Sequence, residues 1–203
     1  MLVGNLDPVG ARVGAHRHTP GRAEYFRQGV MPANGDKLSA FAKHTLAHGV
    51  RLSYHHHMGA YVETAADVDQ LMALTGPEVG LLFDSGHIAF AGGDPLAVLV
   101  KHIARVAHLH CKDVRPAVVK LARNGNWSFL QTVMHGAFSM PGDGCIAFKP
   151  LLELLYRHGY QGWLVVEAEQ GPAVAPSYQY AQMGYRHLAG LVQEIELAGR
   201  EAA

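Results

Sequence analysis

Apolar and polar positions along most of this chain switch between two periods. From Asp36, Leu38, Phe41, Ala42, Leu46 and Ala47 recur at the spacing of one helical face, and Gly49 follows where a helix end takes a left-handed residue. The run VRLSYH (50–55) then reads as a strand. The same unit repeats. A helical pattern over Thr64–Leu74 leads to VGLLFD (79–84), and a helix opened by Asp94–Pro95, with Leu96, Leu99 and Ile103 on one face, leads to VAHLHC (106–111). A longer insert with two helical pieces and the turn Pro141–Gly142–Asp143–Gly144 precedes a helix at Phe148–Arg157, the strand GWLVVEAE (162–169) and a terminal helix ending near Ala198. Residues 1–35 hold neither period, so only Leu2–Val3 reads as a strand there and the rest as an irregular segment.

Strands that are apolar on both faces and separated by helices build a parallel sheet with helices outside, either an open doubly wound sheet or a (β/α)8 barrel. The polar residues favour the barrel. Each strand stays apolar until its C-terminal end and then delivers ionisable groups: His55–His56–His57, Asp84 with His87, His110 with Lys112 and Asp113, and Glu167 with Glu169. In a barrel those ends converge on one mouth, where such folds keep their active sites. A whole barrel takes roughly 250 residues. These 203 residues therefore read as an α/β chain of (β/α)8 TIM-barrel type with the C-terminal half to two-thirds present: an irregular segment over 1–35, then the C-terminal part of the barrel over 36–203.

Composition narrows the partners. Lys plus Arg (17) balance Asp plus Glu (17), so no net field draws in nucleic acid or anionic lipid. Cys111 and Cys145 form no CxxC pair and are too few for a disulfide framework, which predicts a reducing, cytoplasmic setting. The longest apolar runs are strand-length and the first residues lack the pattern of an export signal, so no membrane segment is expected. Histidine stands out: its 14 residues equal Phe and Met together.

A divalent metal of hard or borderline character takes carboxylate oxygen and imidazole nitrogen and leaves room for substrate. One such group from each of four strand ends is on offer: His55 or His57, Asp84, His110 and Glu167. Any one of these alone reads as a surface group near a loop; four strands all ending in ligand types do not. Strand alternation turns His55 and His57 to one side and His56 to the other. His108 shares a face with His110 but lies deeper, as a core or supporting histidine. Of the two carboxylates in Glu167–Ala168–Glu169, Glu167 is the ligand candidate and Glu169 the substrate or supporting group. The remaining signals read as structure. Gly142–Asp143–Gly144 has no following Lys–Ser/Thr and reads as a turn, Ser85 lacks the GxSxG elbow, and Cys111 reads as inert packing. Trp127, Trp163, Tyr178, Tyr180 and Tyr185 fit core or helix packing better than base stacking.

Taken together, LSYHHHMG, LLFDSGH, HLHCKDVRP, MPGDG and GWLVVEAEQ with PSYQYAQMGY resemble the inosose dehydratases of myo-inositol catabolism, within the xylose-isomerase-like barrel superfamily. The resemblance runs from about Asp36 to about Leu197. It implies a metal held by His55 (where many relatives carry Glu), Asp84, His110 and Glu167, with His87, Lys112 and Arg115 contacting a sugar-like substrate. It further implies a lyase that dehydrates a cyclic polyol ketone, 2-keto-myo-inositol (scyllo-inosose), to a trihydroxycyclohexane-dione, with manganese or cobalt and with glutathione. The base for that reaction is His57 or Glu169, and Lys112 holds a hydroxyl or carbonyl oxygen.

The family also carries earlier βα units and a Gly-Glu strand end ahead of this region. Here MLVG is followed by Asn5, and residues 6–35 do not resemble the family, so a truncated or rearranged start is expected. A half barrel leaves strand edges unpaired, which invites homo-oligomerisation or loss of activity. A sugar isomerase or epimerase of the same barrel, or an inactive remnant, are the other readings. A DNA-repair endonuclease of this superfamily needs a basic groove that the neutral balance does not supply.

Overall fold

The structure is a computed structural model and describes residues 2–3 and 30–201. Of the irregular segment expected over 1–35, residues 1 and 4–29, Asn5 among them, lie outside the described residues, and residues 30–35 are helical instead. After β1 (Leu2–Val3), helix α1 spans Val30–Ala47 and so begins ahead of Asp36. A tertiary contact explains the early start. Gly35 lies against the end of the next helix, where an added Cβ would come within 2.4 Å of the Leu74 carbonyl oxygen. Ser39 Oγ fixes the same junction by donating to Gly35 O and accepting the Gly76 N–H. Docking of this kind overrides the poor helix propensity of glycine.

Strand β2 (Ser53–His55) and helix α2 (Ala65–Leu74) follow, the helix started by a capping box in which Thr64 Oγ1 accepts from Asp67 N and Asp67 Oδ2 accepts from Thr64 N. Next come β3 (Gly80–Asp84), a short α3 (Ser85–Phe90) that the hydrophobic pattern did not announce, and α4 (Pro95–His102), capped by Asp94. Strand β4 (Val106–Cys111) opens an insert of β5 (Asp113–Val114), α5 (Pro116–Asn124), α6 (Phe129–Met134) and β6 (Phe138–Ser139). Helix α7 (Phe148–Arg157), strand β7 (Leu164–Val166) and helix α8 (Ser177–Glu201) complete the described chain.

The main sheet has the order β1-β2-β3-β4-β7, every pair parallel. Spatial order follows chain order, as in the wall of a (β/α)8 barrel; a doubly wound sheet reverses at a switch point. Leu81, Phe83, Leu109 and Cys111 turn outward into one core with Val68, Leu71, Leu99, Leu151, Leu155 and Leu188 from the helices. Burial pushes the Cys111 thiol up, as befits a packing group. A second core of Met58, Phe90, Val119, Phe129, Val133 and Phe138 ties the insert down near the ends of β2 and β3. Within it β5 and β6 pair antiparallel, and the Gly142 turn is latched by its N–H to Asp113 Oδ2.

Strand β7 is shorter than the run GWLVVEAE that announced it. Among the described residues β7 has one neighbour, so its pairing extends only where Leu109–Cys111 of β4 reach it, and Trp163 just ahead of it is 77% exposed. Tyr178 and Tyr185 on α8 are likewise exposed, so the packing role expected for these three aromatics is corrected. Among the described residues no helix is long and apolar enough to cross a membrane.

Candidate functional site

The C-terminal ends of β2, β3, β4 and β7 lie side by side, because Asp84 pairs in register with His110 and His110 with Val165. Strand alternation then sorts the triple histidine. His55 and His57 face the cluster, while His56 turns back, fully buried, and its Nε2 accepts the Asp84 backbone N–H at 3.1 Å. Burial lowers His56 to about 3, so the ring stays neutral and keeps that acceptor. Asp84 spends Oδ1 on the N-cap of α3, accepting from His87 N at 2.9 Å, and this leaves Oδ2 aimed at the cluster. The Glu167 N–H, bonded to Cys111 O, carries the β7 pairing one residue on and sets Glu167 beside His110.

Asp84 Oδ2 is the centre. It lies 3.5 Å from His55 Nε2, 3.6 Å from His110 Nδ1 and 3.6 Å from Lys112 Nζ. Glu167 Oε2 is 2.5 Å from His110 Nδ1. Yet His55 Nε2, Asp84 Oδ2, His110 Nδ1 and Glu167 Oε2 are all buried without a well-formed hydrogen bond. Leaving one buried polar atom unbonded costs about 1–3 kcal/mol. Two nitrogens and two oxygens in that condition suit a divalent metal: Asp84, His110 and Glu167 offer ligand atoms within 4.8 Å of one another, and Asp84 does so again with His55 and His87.

The second part of the cluster holds His57, His87, Glu169 and Lys112. His57 Nδ1 lies 2.7 Å from Met58 O, to which it can only donate, so in the neutral ring Nε2 carries the lone pair; it faces Glu169 Oε1 at 3.6 Å. Lys112 Nζ sits 3.0 Å from His87 Nε2, 3.1 Å from Glu169 Oε2 and 3.5 Å from Glu167 Oε1. Phe129 and Phe138 from the insert place their rings against His57 and His87.

These charges set one another's protonation. Burial disfavours the Asp84 carboxylate, but Lys112, His87, His110 and His55 outweigh it and hold the carboxyl well below its usual range. Burial likewise opposes the charges of Glu167 and Glu169, which His110, His57 and Lys112 restore, so both are lowered. Lys112 is raised against burial by its three carboxylates, and His87 is lowered by burial and by Lys112. Burial alone would lower His110, but Asp84 and Glu167 push it up to about 9 from 6.5.

A pH dependence follows from His110. Its folded value lies above the ordinary one, so its contribution to stability is complete below pH 6.5 and is lost as pH rises through about 9. A metal taking Nδ1 displaces that proton, so apparent metal affinity rises by about tenfold per pH unit from neutrality toward pH 9 and then levels off. Calorimetric titration at several pH values, with the released proton counted from the buffer dependence, checks this; a flat affinity refutes it.

Sequence reasoning placed His55, His57, Asp84, His87, His110, Lys112, Glu167 and Glu169, and the structure brings all of them together. Arg115 is engaged elsewhere: its guanidinium donates to Gly136 O and pairs with Asp143 inside the insert. His108 is partly exposed on the cluster's side of β4, its ring 5.5 Å from that of His110. Sequence reasoning missed the supporting roles of Ser85 and Gly86. Ser85 Oγ donates to Lys112 O at 2.7 Å and accepts the Lys112 N–H at 3.2 Å. A Cβ at Gly86 would fall 2.6 Å from Lys112 Cγ, so only glycine lets that stem pass. The one sequence signal was the bare Ser–Gly pair after an apolar strand.

A family model described as xylose isomerase-like TIM barrel matches residues 10–189. Among curated proteins, the chain is similar to the rhizopine catabolism protein MocC of Rhizobium meliloti, 54% identical over 157 residues that make up 77% of this chain and 48% of that protein. It is similar to an inosose dehydratase of Bacillus cereus, 46% identical over 147 residues, 72% of this chain and 49% of the relative. The chain thus spans about half the length of the curated relatives it matches. Among solved structures it resembles the IOLI protein with a bound zinc atom, with a TM-score of 0.59 at 17% identity over 83% of this chain and 58% of that one.

Proposed function

This chain belongs to the xylose isomerase-like TIM barrel family, and we propose that it carries the metal-holding half of a cytoplasmic lyase that dehydrates a cyclic polyol ketone, scyllo-inosose, to a trihydroxycyclohexane-dione. The observation that carries this reading is the pairing of two chemistries in one buried cluster: four unbonded ligand atoms beside a histidine lone pair and a fixed ammonium. Relatives named inosose dehydratase are 46% and 48% identical to this chain over 147 residues.

A divalent ion on His55, Asp84, His110 and Glu167, manganese or cobalt, supplies Lewis-acid polarisation of the ketone. The residues of the chain do the rest. His57 is the base: its Nε2 bears the lone pair, whereas Glu169 is held ionised below its usual range and is engaged by Lys112, which makes it a weak one. His57 takes the proton from the carbon next to the ketone. Lys112 and His87 hold the oxygens of the ring, and the proton on His57 then leaves with the β-hydroxyl as water, so the elimination balances. The insert's Phe129 and Phe138 wall off that side from solvent.

The test is scyllo-inosose turnover by purified, metal-analysed protein with manganese or cobalt, with and without glutathione, and after chelation. Dione formation that needs the metal is expected. Solvent exchange of the α-proton without loss of water points to isomerase or epimerase chemistry and overturns the lyase assignment, as does bound metal with unchanged ketone.

A further inference from the structure

The mouth of this half barrel contains overlapping ligand groups, Asp84 with His110 and Glu167, Asp84 with His55 and His87, and His57 with His87 and Glu169. Beside His55, Asp84, His110 and Glu167, the residues His57, His87 and Glu169 offer ligand atoms that all lie within 4.8 Å of one another. Catalytic sites with two such sets commonly hold two ions, about 3.5–4 Å apart. Here Lys112 stands between them. Its Nζ is surrounded by His87 Nε2 at 3.0 Å, Glu169 Oε2 at 3.1 Å, Glu167 Oε1 at 3.5 Å and Asp84 Oδ2 at 3.6 Å.

The ammonium is built into that position. The side chain is fully buried, its main chain is bonded on both sides of the peptide by Ser85 Oγ, and its stem lies on Gly86 where no Cβ fits. The Phe138 ring lies 5.0 Å from Nζ. Charge counting gives the reason. Asp84, Glu167 and Glu169 bring three negative charges, which one divalent ion and one ammonium neutralise. Without the lysine, one divalent ion leaves a buried carboxylate uncompensated, a costly state that draws in another cation. With the lysine, a second divalent ion would leave the cluster strongly positive.

We propose that Lys112 is a resident cation that restricts this site to one metal ion, occupying the place a second divalent ion would take on His87 and Glu169. The inference rests on the metal reading of the His55, Asp84, His110 and Glu167 set and concerns the number of ions, which activity does not report.

The experiment counts manganese per chain by elemental analysis after dialysis, with calorimetric titration and manganese electron paramagnetic resonance on the same samples. The wild type holds one ion, Lys112→Met holds two with an exchange-coupled spectrum, and Lys112→Met combined with Glu169→Gln returns to one. Lys112→Gln, refolded in manganese, gives the same count of two where Lys112→Met does not fold. Wild-type protein with no metal refutes the metal reading itself. Two ions in the wild type, or one ion in the lysine variants, overturns the role of Lys112 and leaves the metal reading intact.

Discussion

His110→Ala loses tight binding of the divalent metal and, with it, turnover of the polyol ketone. The imidazole is the hinge of the donor set, 2.5 Å from Glu167 Oε2 and 3.6 Å from Asp84 Oδ2. Without it Asp84 keeps the imidazoles of His55 at 3.5 Å and His87 at 3.9 Å, while Lys112 Nζ lies 3.6 Å from Asp84 and 3.5 Å from Glu167. Disrupting a group that merely supports a metal ligand weakens affinity about 10–100-fold. Removing a ligand of this set costs more than the upper end of that range. The measurement is metal content after dialysis, with a competing chelator to rank affinities. Wild-type occupancy in His110→Ala removes this residue from the ligand set. The folded state is retained, because His110 faces the mouth while Leu109 and Cys111 of the same strand hold the outer core.

How much of this was legible follows from the length scale of each feature. Strands β3 and β4 were visible because Leu81, Leu82 and Phe83 run apolar up to Asp84 and because Val106, Leu109 and Cys111 alternate with the histidines of VAHLHC. Helix α2 was visible because Thr64 and Asp67 mark its start chemically. Helix α3 spans only Ser85–Phe90, too few residues for a period to show, and β5 and β6 are two residues each. The cluster of candidate residues was legible for a different reason: a strand end is where an apolar run stops, so its polar residues are conspicuous. The fit of Lys112 over Gly86 was not, since their contact depends on the register that places Asp84 beside His110, and no local pattern encodes that register. Arg115 shows the opposite case. It was named through the family resemblance alone, and the structure shows its guanidinium bonded to Asp143 and the Gly136 carbonyl within the insert.

His57→Gln lowers kcat by about 10²–10⁴-fold, the usual worth of a positioned general base, while metal content stays at the wild-type value. The geometry separates these two effects. His57 belongs to the strand tip that carries His55, but its partners are Met58 O and Glu169, not the four ligand atoms left unbonded. Glutamine keeps the size and a hydrogen-bonding head but has no nitrogen that accepts a proton near neutrality. The chemical step is therefore lost and substrate binding is kept, so KM changes far less than kcat. Exchange of the α-proton with deuterated solvent falls in parallel with water loss, because both need the same proton removal. Glu169→Gln tests the other candidate base. Glu169 is already held ionised against the opposition of burial, with the Lys112 ammonium donating to it at 3.1 Å. Its loss therefore acts through the placement of Lys112 and lowers kcat less than His57→Gln does. If Glu169→Gln abolishes α-proton exchange and His57→Gln leaves it intact, the carboxylate is the base and the histidine its support.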